Sequence, residues 1–321
     1  MKILKLLGLI LAIVVFVITG AALYVNFTQP NVGPAPILAV KADSLAIERG
    51  RYLANHVAVC IDCHSKRDWS LFSGPVVNGT EGSGGEVFDQ NAGFPGKIYS
   101  SNLTPTHLSS WSDGELYRAI TSGVAKDGHA LFPLMAYNRF GKMSREDING
   151  IIAYIRSLKP IANNIPKTEL DFPVSLINKL SPAPAAHQQR PRPNDTLKYG
   201  AYLVNAAGCV DCHSKQDKGK IVAGTEFGGG MEFVQPNGII RAPNITRHQT
   251  FGIGNWTREL FVAKFKAYEK ASPARLGKEE LNTPMPWKMY SGMTERDLSA
   301  IYSYLRSLPP NANQVETKSF K

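Results

Sequence analysis

The placement of the four cysteines constrains this chain more than any other feature. All four fall in two short motifs, Cys60-x-x-Cys63-His64 and Cys209-x-x-Cys212-His213, and none is left over for a structural disulfide. At this spacing two thiols attach a haem covalently, and the adjacent histidine is placed to ligate its iron. We therefore predict two haem c groups with iron, attached at Cys60, Cys63, Cys209 and Cys212 and ligated by His64 and His213.

Two other kinds of site also use a Cys-x-x-Cys pair. A zinc site would need four ligands brought together. A thioredoxin-like redox motif would sit in a β-α-β setting. Two copies of the motif, each followed directly by histidine and each inside a helical repeat, favour haem over both alternatives.

The N-terminal segment predicts a membrane anchor. After Lys2 and Lys5 the chain is apolar and uncharged from Leu6 to Val25, and twenty helical residues span roughly 30 Å, about one hydrocarbon core. The preceding lysines leave the N-terminus in the cytoplasm. We expect a single-pass protein of the inner (cytoplasmic) membrane with the rest of the chain on the periplasmic side. The alternative is a cleaved signal peptide with Gly20-Ala21-Ala22 at the cleavage site, although signal peptides have shorter apolar regions of about 7–15 residues.

An internal repeat with a period near 150 residues organises the rest of the chain. Matching segments precede the two cysteine motifs, and the closest match lies where Met143–Pro160 mirrors Met293–Pro310. Two homologous domains follow from this repeat. The other matched pairs are Tyr52 with Tyr202, Asn102 with Asn244, and Trp111 with Trp256.

Proline content sets the boundaries of these domains. Seven prolines between residues 160 and 194 predict an extended connector without regular helix or central strand. In chain order we predict a transmembrane anchor at 1–28, a spacer at 29–42, the first domain at 43–160, a Pro-rich linker at 161–194, the second domain at 195–312 and a tail at 313–321.

The fold class expected from the local patterns is all-α, with long loops. Each domain should begin with a helix, at about Ser44–Val57 and Thr196–Ala206. Each should close with an amphipathic helix capped by Ser144 or Thr294, with an aspartate three residues later. The glycine-rich stretches 78–96 and 219–238 are expected to be loops.

The sixth iron ligand decides the chemistry of each haem, because methionine closes the iron and raises its potential. Met135 and Met285 are 150 residues apart, and both lie near proline before a closing helix. We predict them as the distal ligands, with Met289 as an alternative at the second haem. Met143 and Met293 also align, but their position at the helix entrance predicts core packing.

The remaining histidines compete for the same role. His107, His129 and His248 have no matching histidine in the other copy, and hydrogen bonding in loops is the expected role for each. His56 and His187 have no context that supports iron ligation.

The chain resembles a known family at several of these motifs. Its domains are similar to the cytochrome c domains in multihaem cytochrome c subunits of bacterial membrane-bound alcohol, aldehyde and gluconate dehydrogenases. The resemblance rests on Gly-x-Tyr-Leu before each cysteine motif, Asn244-Ile245-Thr246, Gly252–Thr257, Met285-Pro286-Trp287 and Met293–Pro310.

The resemblance implies that Asn102, Trp111, Asn244 and Trp256 line the haem pockets near the propionates. Packing of the tryptophans on the porphyrin face or in the core is the alternative. Subunits of this family often carry three haems, whereas this chain has two motifs. The first copy also lacks the Gly-Ile-Gly-x-Trp run and reads Leu-Met-Ala where Pro-Met-Pro is usual.

These predictions together indicate an electron carrier without its own catalysis. Electrons would come from a dehydrogenase or a quinol-oxidising complex and pass to an acceptor cytochrome or terminal oxidase. The net charge is +10, but no basic run of the nucleic-acid-binding type occurs. The main alternative is a dihaem peroxidase or thiosulfate-type oxidase with one open or unusually ligated haem. A haem-based sensor is a third, for which no output domain is visible.

Overall fold

The computed structural model describes residues 1–321 and opens with an exposed apolar helix. Helix α1, Lys2–Thr28, has no buried residue and is long and apolar enough to cross a membrane. These properties fit a membrane anchor or a signal sequence equally well. Near its end, the Lys179 ammonium donates to the backbone and side-chain oxygens of Asn26, at 3.0 and 2.7 Å.

Five helices recur in the same order in the two halves of the remaining chain, and the first half has one more. In the first half the helices are α2 (Ser44–Tyr52), α3 (Cys60–Cys63), α4 (Pro105–Leu108), α5 (Asp113–Ser122), α6 (Tyr137–Phe140) and α7 (Arg145–Arg156), of which α4 is the additional one. A short helix α8 (Val174–Ile177) follows in the linker. In the second half they are α9 (Thr196–Ala207), α10 (Cys209–Cys212), α11 (Arg258–Lys266), α12 (Trp287–Tyr290) and α13 (Glu295–Ser307).

Short antiparallel strands accompany the helices, so the all-α expectation is not confirmed. The strands are β1 (Val87–Phe88), β2 (Gly96–Tyr99), β3 (Glu169–Leu170), β4 (Gln216–Asp217), β5 (Lys220–Ile221), β6 (Glu232–Gln235), β7 (Gly238–Arg241) and β8 (Lys318–Phe320). They form sheets in the orders β1-β2-β3, β4-β5 and β6-β7-β8. The glycine-rich stretches expected to be loops contain several of these strands. Strands this short carry too little alternation for a sequence pattern to detect.

The predicted helices at the start and end of each half are confirmed. The side chains of Ser144 and Thr294 accept from the backbone N–H three residues later, as N-caps of α7 and α13. Helix α2 continues as a π-helix from Leu53 to Val57. The first copy has one more residue than the second between its tyrosine and its first cysteine. A π-turn absorbs one extra residue in a helix, and the insertion therefore accounts for this irregular turn.

Glycine allows the first and last helices of each half to cross closely. A Cβ at Gly50 in α2 would overlap the carbonyl oxygen of Gly150 in α7, and one at Gly200 in α9 would overlap that of Ala300 in α13. These helix pairs bury the apolar faces that the sequence predicts, including Ile151 and Ile152 of α7.

A single apolar cluster of 28 buried residues runs through both halves. It includes Leu53 and Met143 from the first half and Leu203 and Met293 from the second, all at most 2% exposed. The two copies therefore share one core in addition to their own helix pairs.

Two reciprocal hydrogen bonds tie the halves together within this shared region. The Tyr52 hydroxyl donates to Asp297 at 2.6 Å, and the Tyr202 hydroxyl donates to Asp147 at the same distance. Each hydroxyl also accepts from the backbone N–H of the cap residue on the opposite closing helix, at 3.1 Å. The helix that leads into each cysteine motif is therefore bonded to the closing helix of the other half.

The linker is extended for most of its length but packs along the first half. Its strand β3 forms the edge of the first sheet, and the Nδ1 of His187 hydrogen-bonds the Met143 carbonyl oxygen at 2.6 Å. Arg190 pairs with Asp147 at 2.8 Å. The prediction of no regular helix is wrong for α8, because the run from 174 to 181 contains no proline.

The reciprocal bonds predict a matched pair of stability losses. Tyr202→Phe removes a hydroxyl that donates to a buried carboxylate and accepts from Ser144, so we expect a loss of about 2 kcal/mol in the free energy of unfolding, measured with urea. Tyr52→Phe should cost about the same. Tyr99→Phe, outside this interface, is the control. An unchanged midpoint in both interface variants would show that these bonds do not hold the halves together.

Candidate haem sites

Each cysteine motif forms one short helical turn that begins at a left-handed residue. Val59 precedes α3 with φ of 46°, and Gly208 precedes α10 with φ of 70°. A left-handed backbone is strained for a β-branched valine and unstrained for glycine. The turn places both cysteines and the following histidine at one end of the leading helix in each half.

The two motif histidines have the same hydrogen bond. The Nδ1 of His64 donates to the Ser101 carbonyl oxygen at 2.8 Å, and the Nδ1 of His213 donates to the Pro243 carbonyl oxygen at 2.8 Å. Because a carbonyl only accepts, Nδ1 carries the proton and the lone pair lies on Nε2. An oriented ring with a free Nε2 is the arrangement found in metal-ligating histidines.

Burial keeps these rings neutral. It lowers the pKa of His64 and of His213, partly offset by the bond to the carbonyl oxygen. A neutral imidazole is the form that ligates a metal. The residues present therefore fit an axial histidine at each motif.

The cysteines do not have the character of redox thiolates. Burial raises the pKa of the Cys60, Cys63 and Cys209 thiols to about 12. The reactive cysteine of a thioredoxin-like motif has a lowered pKa instead. No group of three or more His, Cys, Asp or Glu side chains is arranged to hold a metal ion.

Asn102 and Asn244 support the loops that orient the histidines. The Oδ1 of each accepts from the backbone N–H and the hydroxyl of the threonine two residues later, at 2.7 to 2.9 Å. The Asn102 amide donates to the Ile161 carbonyl oxygen at 2.8 Å, and the Asn244 amide donates to two carbonyl oxygens of the C-terminal segment.

These bonds give the asparagines a role that the sequence did not predict. Both side chains are nearly inaccessible, at 2% and 3% exposure. In the second half the Asn244 amide donates to two protein carbonyl oxygens, those of Asn311 and Asn313. Each asparagine directly follows the residue whose carbonyl binds the motif histidine, so it fixes that carbonyl.

The predicted pocket tryptophans lie against the shared apolar cluster. Trp111 and Trp256 are partly buried and pack against it. The ring centroid of Trp111 is 6.4 Å from that of His107, and the backbone carbonyl of Trp256 accepts from the Tyr302 hydroxyl at 2.6 Å. Neither indole N–H has a protein acceptor, so both remain donors for a bound group.

The predicted distal methionines also lie beside this cluster. Met135 and Met285 are partly buried and pack against it, as do Cys60 and Cys209. The backbone of the Met285 loop is held by the first half, because the Ser73 hydroxyl donates to the Met285 carbonyl oxygen at 2.5 Å. Met143 and Met293 are 0% and 2% exposed, which confirms their predicted core packing.

The other five histidines have protein partners or aromatic neighbours. His129 pairs with Asp127, and the Nδ1 of His248 accepts from the Phe251 N–H. His56 bonds the Met289 carbonyl oxygen at 2.9 Å, across the two halves. His187 lies between Tyr117 and Met143 in the packed linker, and His107 lies beside Trp111.

The motif aspartates have charged partners that are not predicted from the sequence. Asp62 pairs with Arg67 at 3.0 Å, and Asp211 pairs with Arg139. Asp62 is buried, and a buried carboxylate needs a partner, so Asp62 within Cys-x-Asp-Cys is a signal for a nearby arginine such as Arg67. The Asp211 side chain is 40% exposed and gives no such signal. Arg139 lies in the other half of the chain, and only the structure identifies it.

The hydrogen bonds of Asn244 lead to a prediction that separates two roles for this residue, support of the loop that orients His213 and donation to a haem propionate. Asn244→Ala removes four hydrogen bonds in a buried site, and we expect a loss of about 2–3 kcal/mol in the free energy of unfolding. Asn237→Ala, at an exposed amide with one bond to Lys278, is the control. A changed haem spectrum with unchanged stability would instead support the propionate role.

Comparison with known proteins gives a family match in the second half. Residues 197–309 match the family model described as cytochrome c, and this range contains the second Cys-x-x-Cys-His motif. The first motif lies outside the matched residues.

Three curated relatives extend the similarity over most of the chain. The chain is 29% identical over 90% of its length to the fructose dehydrogenase cytochrome subunit of Gluconobacter japonicus, covering 58% of that protein. It is 27% identical over 84% to the alcohol dehydrogenase (quinone) cytochrome c subunit of Gluconacetobacter polyoxogenes, covering 57%. It is 25% identical over 84% of its length to the gluconate 2-dehydrogenase cytochrome c subunit of Pantoea cypripedii, covering 60% of that protein.

The chain thus spans less than two thirds of the length of each of these relatives. The resemblance noted from the sequence motifs is confirmed for the alcohol and gluconate dehydrogenase subunits, and it extends to fructose dehydrogenase. The chain contains a cytochrome c domain, which implies covalently bound haem c, and is homologous to the cytochrome c subunits of fructose, alcohol and gluconate dehydrogenases.

Proposed function

We propose that this chain carries electrons through two covalently bound haem c groups, as the cytochrome subunit of a dehydrogenase complex. The observation that carries the proposal is the repeated histidine geometry. In both halves, a histidine directly after Cys-x-x-Cys donates from Nδ1 to a carbonyl at 2.8 Å. Only one half matches the family model, but both halves have this arrangement.

Different residues of the chain would bind the porphyrin and the iron of each haem. The four cysteines would hold the two haems by thioether bonds, and the Nε2 atoms of His64 and His213 would ligate the irons. When bound, each haem supplies a one-electron redox couple. The hydrogen bonds to the Ser101 and Pro243 carbonyl oxygens keep each histidine ring in one orientation, which raises its basicity as a ligand.

Met135 and Met285 are the proposed distal ligands. Each lies on the loop before a short helix, beside the apolar cluster that also contacts Cys60 and Cys209. A methionine in the sixth position leaves no open site for a substrate, which favours electron transfer over peroxidase or thiosulfate-oxidase chemistry. Contacts from Ser73 hold the Met285 loop in place in the folded protein.

The proposed partners follow from the relatives. Each is named as a cytochrome subunit of a dehydrogenase, so we propose a dehydrogenase as electron donor and a downstream cytochrome or terminal oxidase as acceptor. A quinol-oxidising complex is the alternative donor. Helix α1 would anchor the chain in the inner membrane, with two cytochrome c domains at 43–160 and 195–312 on the periplasmic side.

The number of haems is tested by mass. Intact-protein mass spectrometry should find two covalently attached haems, and the pyridine haemochrome spectrum should give the same ratio. Cys60→Ala/Cys63→Ala and Cys209→Ala/Cys212→Ala should each leave one, because each pair holds its own group. A single haem in the unaltered chain would overturn the dihaem proposal.

The distal ligands are tested with carbon monoxide. The reduced protein should not bind it, because both irons are closed. Met285→Ala should create a carbon-monoxide adduct at one haem, Met135→Ala at the other, and the double variant at both, measured by difference absorbance. Met289→Ala is the control and should bind none. Carbon monoxide binding by the unaltered protein would favour the peroxidase or oxidase alternative.

A further inference from the structure

The aspartate inside each cysteine motif has an arginine partner, but the two arginines come from different parts of the chain. In the first half, Asp62 pairs with Arg67 from the same half at 3.0 Å, and both side chains are almost fully buried, at 6% and 5% exposure. In the second half the repeat places Gln216 where Arg67 stands. The Gln216 amide donates to the backbone oxygen of Asp211 at 2.6 Å.

The second aspartate takes its positive charge from the first half instead. Arg139, in helix α6 of the first half, pairs with Asp211, and the two side chains are 22% and 40% exposed. The backbone oxygen of Arg139 also accepts from the Asn205 amide, at 3.1 Å, on the helix that leads into the second motif. Arg139 is thus held against the second motif at both its backbone and its side chain.

Two further differences between the copies make room for this contact. Gly208 precedes the second motif, and a Cβ there would clash with the guanidinium of Arg139. Val59 occupies the matching position of the first motif, and Met289 occupies the position that matches Arg139. Gly208, Gln216 and Arg139 therefore fit one another. At the matching position of the other half, each is replaced by a different residue type.

From this geometry we infer that Arg139 is a positioning residue of the second haem site, supplied by the first domain, which raises the reduction potential of the second haem. The inference rests on the proposed haem binding at the second motif. A cation in a poorly solvated site disfavours the extra positive charge of oxidised iron. Arg139 also neutralises Asp211, whose unpaired negative charge would favour oxidised iron. The potential of the second haem therefore depends on the contact between the domains, whereas that of the first haem depends on its own Arg67.

The test uses the full-length holoprotein in detergent and measures both potentials by spectroelectrochemical titration. Arg139→Met introduces the residue found at the matching position 289. We expect the equilibrium constant for reduction of the second haem to fall about tenfold, equivalent to about 59 mV for one electron, with the first haem unchanged. The Cys60→Ala/Cys63→Ala variant, which keeps only the second haem, assigns the two potentials.

A compensating variant separates charge from packing. Arg139→Met/Gln216→Arg places an arginine where the first domain has Arg67, and it should restore most of the lost potential. Arg139→Lys keeps the charge and should shift the potential less than Arg139→Met. Lys97→Met, an exposed charge of the same domain, is the control and should move neither haem. Thermal unfolding of each variant shows whether the fold is retained.

Three results would overturn the inference. In Arg139→Met, the reduction potential of the second haem could stay unchanged, or the potentials of both haems could shift equally. In Arg139→Met/Gln216→Arg, the potential of the second haem could fail to recover. These outcomes differ from failure of the proposed function. A protein with only the second haem would contradict the dihaem proposal but would still test Arg139. A protein with no haem at the second motif would contradict both.

Discussion

Two buried carboxylates, those of Asp147 and Asp297, connect the halves of this protein, and much of the structure depends on them. Asp147 is fully buried near the start of one closing helix, where it binds Arg49 and Tyr202. Burial alone would raise the pKa of Asp147, but the bonds from Arg49 and Tyr202 lower it below its usual value. A carboxylate with a lowered pKa stabilises the fold above the ordinary aspartate range, and this contribution is lost as the pH falls through the lowered value.

The reciprocal contacts resemble a twofold dimer joined in one chain, but the charges around the two motifs break this symmetry. Tyr52 and Tyr202 make the same bonds in opposite directions. The aspartates of the motifs are neutralised differently, one within its own half and one from the other half. The two motifs therefore differ in their electrostatic surroundings although the helices around them pack in the same way.

Residue patterns within single helices predict the parts of the fold that depend on interactions between residues close together in the sequence. The caps Ser144 and Thr294, the apolar face of the closing helices and the core packing of Met143 and Met293 follow from spacing along one helix. The strands around residues 87 and 234 were missed because they are too short for a pattern. Contacts between the halves, including Tyr52 with Asp297 and Arg139 with Asp211, depend on how two surfaces meet, and a single sequence contains no signal for that.

The reciprocal bonds also bear on the order in which the chain can fold. Tyr52 finds its acceptor 245 residues later along the chain, and contacts of such long sequence separation form slowly because a long loop must first close. The first half cannot complete its share of the common core until the last helix has emerged and docked. During synthesis, the apolar surface around the π-turn therefore stays uncovered for longer than in an independent domain. An incomplete chain would expose that surface to aggregation or proteolysis.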